Sequence, residues 1–280
     1  MGGTALLGDI GGTNARFALA RDGAIIDGSW RAYANDGYAR FEDLLEVVLA
    51  EVGPVEAIAL SVAGPLLHGD IRMTNRDWTI RAGVLRDHAA RVRLLNDLSA
   101  HVLAVPGLTD ETSRDLRPGT IAGNGQWLAV NLGTGFNAAE GVQTAAGPVA
   151  LAAERGLCPL PAAVVARLRD VGAGVPDCCD AFFSGPGLQR LKAQVGEVAE
   201  EVFSLCLAEL LRELITATLP FDGVYLCGGV AGVVAQGPGF PALLARLDDP
   251  YVPYGFLADI PVRLMTGRDA ALQGCLAALG

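Results

Sequence analysis

The stretch Gly8-Asp9-Ile10-Gly11-Gly12-Thr13-Asn14-Ala15-Arg16-Phe17 decides how the rest of the chain is read. Ala5 to Ile10 is an apolar run of strand character, Gly11-Gly12 permits a tight turn, and Ala15 to Ala20 resumes an extended apolar pattern. Two adjacent glycines expose consecutive backbone N–H groups with no side chain in the way, which is what a phosphate needs. Thr13 and Asn14 add side-chain donors, and Asp9 could hold Mg²⁺ through water. An ordinary hairpin turn fits the same letters. The chain has no GxxxxGK[ST] run, so the pattern is not a P-loop.

The pattern occurs twice. Leu128-Ala129-Val130-Asn131-Leu132 leads into Gly133-Thr134-Gly135, and a second extended segment reaches Val142. Further strand-like segments follow each copy, 24–33 and 147–152, and then helices. A fold that builds strand, glycine turn and strand twice, with the turns facing, would clamp a ligand between its halves.

The remaining segments read as mixed α/β. Helices are expected at 41–52, 98–105 and 269–279, and strands at 57–62, 91–95 and 224–227. The clearest helix is 196–219. Val198, Val202, Phe203, Cys206, Leu207, Leu210, Leu211 and Leu214 hold a 3/4 spacing, with Glu197, Glu200, Glu201, Glu209, Arg212 and Glu213 opposite. Pro220 stops it. Strands alternating with helices argue for largely parallel α/β layers.

Composition narrows the partners. The chain has 280 residues, 51% hydrophobic and 19% charged, with a mean hydropathy of +0.36. That suffices for a large core in one big domain or two modest ones, and it is the opposite of a disordered composition. No apolar run approaches the roughly 18–20 residues of a membrane helix. Gly8, Asp9 and Gly11 break the N-terminal stretch before it could be a signal sequence, so the cytoplasm is the expected location. A net charge of −10 makes nucleic acid and anionic membranes poor partners. Cys158, Cys178, Cys179, Cys206, Cys227 and Cys275 form no CxxC pair, so they read as small core residues of a reduced protein, not as a zinc site.

Two further places could carry chemistry. Asn96-Asp97 ends a buried strand, where ligands of α/β sheets usually sit, so Asp97 is a fair general base. It could equally be the N-cap of a helix starting at Leu98. Gly228-Gly229, after Val224 to Cys227, could admit a base or ribose against bare backbone, or simply turn the chain.

Taken together, these residues resemble the bacterial glucokinase family of the hexokinase–actin ATPase superfamily. The carriers are the Gly8–Phe17 run, Met73-Thr74-Asn75 with Trp78, Leu95-Asn96-Asp97, Gly133-Thr134-Gly135, Ser184-Gly185-Pro186-Gly187-Leu188 and Gly228-Gly229, all in the family's order. The match runs from Ala5 to the last helix, and the chain looks shorter than a typical member between Leu188 and Gly228.

The resemblance implies a two-domain α/β fold of ribonuclease H-like (hexokinase/actin) type with a cleft between the domains. The domains would be 1–104 plus 267–280, and 105–266. It implies transfer of the γ-phosphoryl group of ATP, with Mg²⁺, to the 6-hydroxyl of glucose, and a homodimer. Asp97 would be the catalytic base and Asn96 a sugar contact. Asp9, Gly11, Gly12, Thr13 and Asn14 would form one phosphate loop and Gly133, Thr134 and Gly135 the other, with Gly228 and Gly229 as the adenosine motif.

Two positions depart from the pattern. The family's Glu-Gly-Gly-His stretch reads Glu154-Arg155-Gly156-Leu157 here, so Glu154 is kept as a sugar contact while Leu157 can neither donate nor accept. A family Glu is replaced by Asp180, one methylene shorter. These changes leave open a kinase for another hexose, or a non-catalytic sugar- or nucleotide-binding regulator. A DNA-binding regulator lacks support, because no helix-turn-helix precedes Asp9.

Overall fold

The computed structural model describes residues 3–249, 255–267 and 269–280. The chain divides into two compact units, Met1–Gly107 with Arg268–Gly280, and Leu108–Gly267.

In the first unit, β1 (Ala5–Ile10) and β2 (Asn14–Arg21) form an antiparallel hairpin around the first glycine turn. The extended segment expected at 24–33 is broken. Only β3 (Ala24–Ile25) and β4 (Arg31–Ala34) are strands, because Gly28 takes a left-handed φ of 72° and Ser29 folds back. The Ser29 hydroxyl donates to the Ile26 carbonyl at 2.6 Å and accepts from the Leu19 N–H at 3.0 Å. After α1 (Phe41–Val52), β5 (Ala57–Val62) pairs parallel with β1. A small antiparallel sheet follows, β6 (Leu66–Leu67), β7 (Asp70–Arg72) and β8 (Thr79–Arg81), and then α2 (Ala82–Arg86). Strand β9 (Arg91–Asn96) pairs parallel with β5 and leads into α3 (Asp97–Ala104). Parallel strands thus share this sheet with antiparallel ones, and within it the sequence expectation of largely parallel layers holds for β1, β5 and β9 but not for β2, β3 and β4.

The period of two in β1 assigns its faces. Leu6 and Ile10 join the core beneath α1, with Phe41, Leu44 and Trp78. Ala5 and Leu7 join a second, small-residue core with Ala100 of α3 and Leu272 and Cys275 of the helix Ala270–Ala277. Those two helices approach so closely that a Cβ on Gly274 would lie 1.8 Å from the Ala100 carbonyl oxygen. By the same alternation, Asp9 belongs to the face that α3 covers.

The second unit repeats the plan. After β10 (Ser113–Arg117), β11 (Gln126–Leu132), β12 (Phe136–Thr144) and β13 (Gly147–Leu151) form an antiparallel meander around the second glycine turn. Helices α4 (Ala162–Asp170), α5 (Cys179–Phe182), α6 (Gly185–Val195) and α7 (Ala199–Thr218) precede β14 (Gly223–Cys227), which pairs parallel with β11. Helices α8 (Gly229–Gln236) and α9 (Phe240–Asp248) and strand β15 (Val262–Met265) follow, with β15 parallel to β14.

Helix α7 corrects the sequence reading in one respect. Its first residues, 196–198, form a 3₁₀ turn, and two of its supposedly solvated residues, Glu209 and Arg212, are buried. Their charges are met locally. Glu209 accepts from Arg246 Nε at 2.8 Å and from Arg167 at 3.2 Å, and Arg212 donates to the Arg246 carbonyl at 2.7 Å. The cysteine reading also needs correction, since Cys158 is exposed and Cys178 half-exposed, while the other four are buried.

Among the described residues, no single helix is long and apolar enough to cross a membrane.

Candidate functional site

Strand register builds the first half of the site. Ile10, Val62 and Asn96 are aligned across β1, β5 and β9, so these parallel strands end together. The Gly11-Gly12 turn and the start of α3 therefore emerge at one edge, the edge where open α/β sheets bind ligands.

Asn96 supplies the N-cap of α3, a role the sequence reading had offered to Asp97. Its Oδ1 accepts from the Leu98 and Ser99 N–H groups at 3.0 and 3.4 Å, and its Nδ2 donates to the Gly64 carbonyl at 3.0 Å. The helix consequently begins at Asp97, one residue earlier than expected. Asp97 Oδ1 accepts from the Leu98 N–H at 2.9 Å. Burial pushes the Asp97 carboxyl above the ordinary carboxylate range, with the charge of His101 opposing and the charge of Asp9 assisting. Asp9 is likewise raised by burial, against the charges of His101 and Arg16 and a 3.4 Å hydrogen bond from Ser61 Oγ. Two carboxyls that resist ionisation stand near each other here, an arrangement that marks functional sites.

The first turn is held from behind. Gly11 N–H donates to the Asn14 carbonyl at 3.0 Å, and the buried Asn35 donates through Nδ2 to the Gly11 carbonyl at 2.8 Å. Arg76, stacked 4.5 Å from the Trp78 ring centroid, donates to the Asn35 carbonyl at 2.7 Å and the Gly12 carbonyl at 3.4 Å. The turn's carbonyls are thereby engaged, and no described residue accepts from the Gly12 or Thr13 N–H. Thr13 and Asn14 are exposed.

In the second unit, β11 and β14 also end side by side, pairing Asn131 with Cys227. Gly228 has a φ of 93°, and a Cβ there would lie 2.4 Å from the Leu132 carbonyl oxygen, so only glycine fits. The Gly185 N–H donates to the Gly133 carbonyl at 2.8 Å, which joins the second turn to the start of α6. Ser184 caps α6 by accepting from the Gly187 N–H at 3.3 Å. Gly133–Gly135 thus lies against the start of α6 and beside the start of α8, two helix N-termini of the kind that favour anions. Gly185, Leu188, Gln189, Lys192, Val230 and Val233 line a cavity of about 320 Å³ between these helices.

The remaining candidates sit on the other side of this turn. Asp180 Oδ1 accepts from the Phe136 N–H at 2.6 Å, and a Cβ on Gly135 would lie 2.8 Å from that oxygen. One oxygen of Asp180 is therefore bonded to the turn itself. Asn137 donates to the Ala153 carbonyl at 2.8 Å and to Glu154 Oε2 at 3.3 Å, and accepts from the Arg155 N–H at 2.9 Å. Arg155 is ion-paired with Glu140. Leu157 closes the 3₁₀ turn Arg155–Leu157 and is 74% exposed, a large apolar side chain turned to solvent.

The structure therefore gathers Asp9, Gly11, Gly12, Thr13, Asn14, Asn96 and Asp97 in the first unit. It gathers Gly133, Thr134, Gly135, Glu154, Leu157, Asp180, Gly228 and Gly229 in the second. Sequence reasoning gave no part to Asn35, Arg76, His101 or Asn137. His101 was detectable from its i+4 spacing to Asp97, and Arg76 from its neighbour Trp78, whereas Asn35 and Asn137 carry no local signal.

The layout of two strand–glycine-turn–strand units on mixed sheets defines an actin-like ATPase fold of the sugar-kinase kind. A solved glucokinase from an Antarctic psychrotroph superposes with a TM-score of 0.84 at 24% identity, covering 99% of this chain and 98% of that one. A glucokinase of Caulobacter sp. strain K31 is 35% identical over 70% of this chain, a match that spans 63% of the relative. A glucokinase of Caulobacter vibrioides is 31% identical over 99% of this chain and 96% of its own length. The family model described as Glucokinase matches residues 6–200 and 187–280. The chain belongs to the glucokinase family and is a glucokinase-type hexose kinase.

Proposed function

We propose that the protein transfers the γ-phosphoryl group of ATP to the 6-hydroxyl of glucose, with Asp97 as general base. The observation that carries this is the position of Asp97, a carboxyl on the first residue of α3 at the sheet edge, beside a glycine turn whose Gly12 and Thr13 N–H groups no described residue accepts from. Phosphoryl transfer asks the protein mainly for alignment, charge neutralisation and an oriented nucleophile. Asp97 would accept the hydroxyl proton as attack proceeds. The Gly12 and Thr13 N–H groups and the second turn, Gly133–Gly135, would bind phosphate oxygens. The cavity beside Gly228-Gly229 would receive the adenosine.

Asn96 and Glu154 would contact the sugar. Asp180 would do so only through the oxygen that does not hold Phe136. Asp9 would hold Mg²⁺ through water. A single partly exposed carboxylate suits an ion that arrives on the triphosphate, and no group of three or more metal-ligating side chains occurs among the described residues. When bound, that ion supplies charge neutralisation at the phosphates.

Leu157 favours a second reading, a kinase for a different hexose, because an exposed leucine offers no hydrogen bond to a sugar hydroxyl. The family resemblance supports a homodimer, a cytoplasmic location and a place at the entry to glycolysis. Sedimentation velocity tests the first of these.

The deciding experiment is ADP release with MgATP across glucose, mannose, fructose, glucosamine and N-acetyl sugars. Glucose should give the highest kcat/KM. Highest kcat/KM with another hexose selects the second reading, and no release above background with any sugar rejects both.

A further inference from the structure

Asn137 is the second residue of β12, directly after Phe136, whose N–H Asp180 holds. Its side-chain amide makes four hydrogen bonds, which use both of its N–H protons and both lone pairs of its oxygen. Nδ2 donates to the Ala153 carbonyl at 2.8 Å and to Glu154 Oε2 at 3.3 Å. Oδ1 accepts from the Ala138 and Arg155 N–H groups, each at 2.9 Å. These partners fix the orientation of the amide, because a flipped one would set oxygen against oxygen at Ala153 and N–H against N–H at Arg155.

Three of the four partners are consecutive residues, so one side chain grips the backbone before Glu154, the backbone after it, and the carboxylate itself. Two further contacts press the same loop onto β12. The Arg155 guanidinium is ion-paired with Glu140 of that strand, and Gly156 lies so close to the Phe136 carbonyl that a Cβ would not fit. Glu154 is an exposed residue just before the 3₁₀ turn. A glutamate in solvent ordinarily samples many rotamers, and a ligand that must order it binds more weakly for doing so. Here the ordering is done by Asn137 before any ligand arrives.

We propose that Asn137 is a positioning residue for sugar binding: its amide fixes where Glu154 stands and which way the carboxylate points when the hexose arrives. The inference rests on Glu154 being a sugar contact. It requires an amide at position 137 and not merely a polar side chain of that size. An aspartate would still accept from Ala138 and Arg155, but it would set a second carboxylate against Glu154 and an oxygen against the Ala153 carbonyl. The effect belongs to the sugar alone, because Asn137 touches the loop of Glu154 while the glycine turn is held by other groups, Asp180 and Gly185.

The test is a double-mutant cycle on residues 137 and 154, read as KM for glucose, KM for ATP and kcat by coupled ADP release. Asn137→Ala should raise KM for glucose about three- to thirtyfold. KM for ATP and kcat should each stay within about twofold of wild type, the pattern of lost ground-state binding. Asn137→Asp should raise KM for glucose at least as far, and it supplies the test if the Ala variant does not fold. Adding either change to Glu154→Ala should raise KM for glucose by no more than about twofold beyond Glu154→Ala alone, since nothing is left to position. Effects that add in the double variant, a rise in KM for ATP matching that for glucose, or an unmoved KM for glucose in Asn137→Ala, each overturn the proposal. Glu154→Ala by itself separates the two claims. An unaltered KM for every hexose in that variant refutes the sugar contact, whereas a raised KM for glucose there with an unmoved one in Asn137→Ala refutes only the role of Asn137.

Discussion

The two glycine turns share a topology and differ in what holds them. The first, Gly11-Gly12, is gripped from behind by uncharged or cationic donors, Asn35 and Arg76, which engage its carbonyls. The second, Gly133–Gly135, is gripped by a carboxylate, because Asp180 accepts from the Phe136 N–H while Gly185 donates to Gly133. The acids of the first unit, Asp9 and Asp97, make no such bond to the turn, and burial raises both above the ordinary carboxylate range. The nearest acid of the second unit is half spent on scaffolding. One unit is arranged to react and the other to bind, so damage to the first should appear in kcat and damage to the second in KM.

Asp97→Asn should show the largest effect, a fall in kcat of about 10²- to 10⁴-fold with KM for both substrates little changed, measured by coupled ADP release. Equal losses in kcat and KM would blur the division. Next is Asp180→Ala, which leaves the Phe136 N–H without its charged acceptor. A lost hydrogen bond to a charged group is worth roughly 1.5–3 kcal/mol, so KM for ATP should rise about ten- to a hundredfold while kcat holds. Asn35→Ala, which loosens the first turn, should cost less, a few-fold to about tenfold in kcat with KM little changed, because neutral bonds are weaker. Leu157→His should be smallest, lowering KM for glucose by about two- to tenfold if residue 157 faces the sugar. A rise would place that side chain elsewhere.

Stability should separate the units in the opposite sense. The folded-state carboxyl of Asp97 lies above its unfolded value, so the protonated form is the stabilised one. Its contribution is present at low pH and fades as pH rises through the raised folded value. Asp97→Asn mimics the protonated form and should raise the melting temperature by roughly 1–3 °C at neutral pH, a gain that disappears in acid. Calorimetry at both pH values checks it.

Much of this was legible in the sequence because it is written in contiguous letters. Glycine pairs after apolar runs announced both turns, and the 3/4 spacing announced α7. The errors came where distant residues intervene. Glu209 and Arg212 read as a solvated face because their partners, Arg246 and Arg167, lie 34 to 42 residues away along the chain. Asp97 offered itself as an N-cap because Asn96, one residue earlier, competes for the same N–H groups and wins by geometry. Asn35 and Asn137 act through backbone carbonyls, a role that residue type alone does not reveal. Strand breakage at Ser29 depends on a hydroxyl bond back to Leu19, again invisible in a pattern of apolar letters.

The account turns on the proton acceptor. Rapid-quench measurement of a single turnover from γ-labelled ATP, at saturating glucose and across pH, tests it in wild type and Asp97→Asn. Wild-type transfer should bend downward with acid at a pH above the ordinary aspartate value of about 3.9. The Asn variant should bind both substrates yet transfer at least about 100-fold more slowly, with that bend gone. Transfer by the Asn variant at close to the wild-type rate, with the bend unchanged, would contradict it.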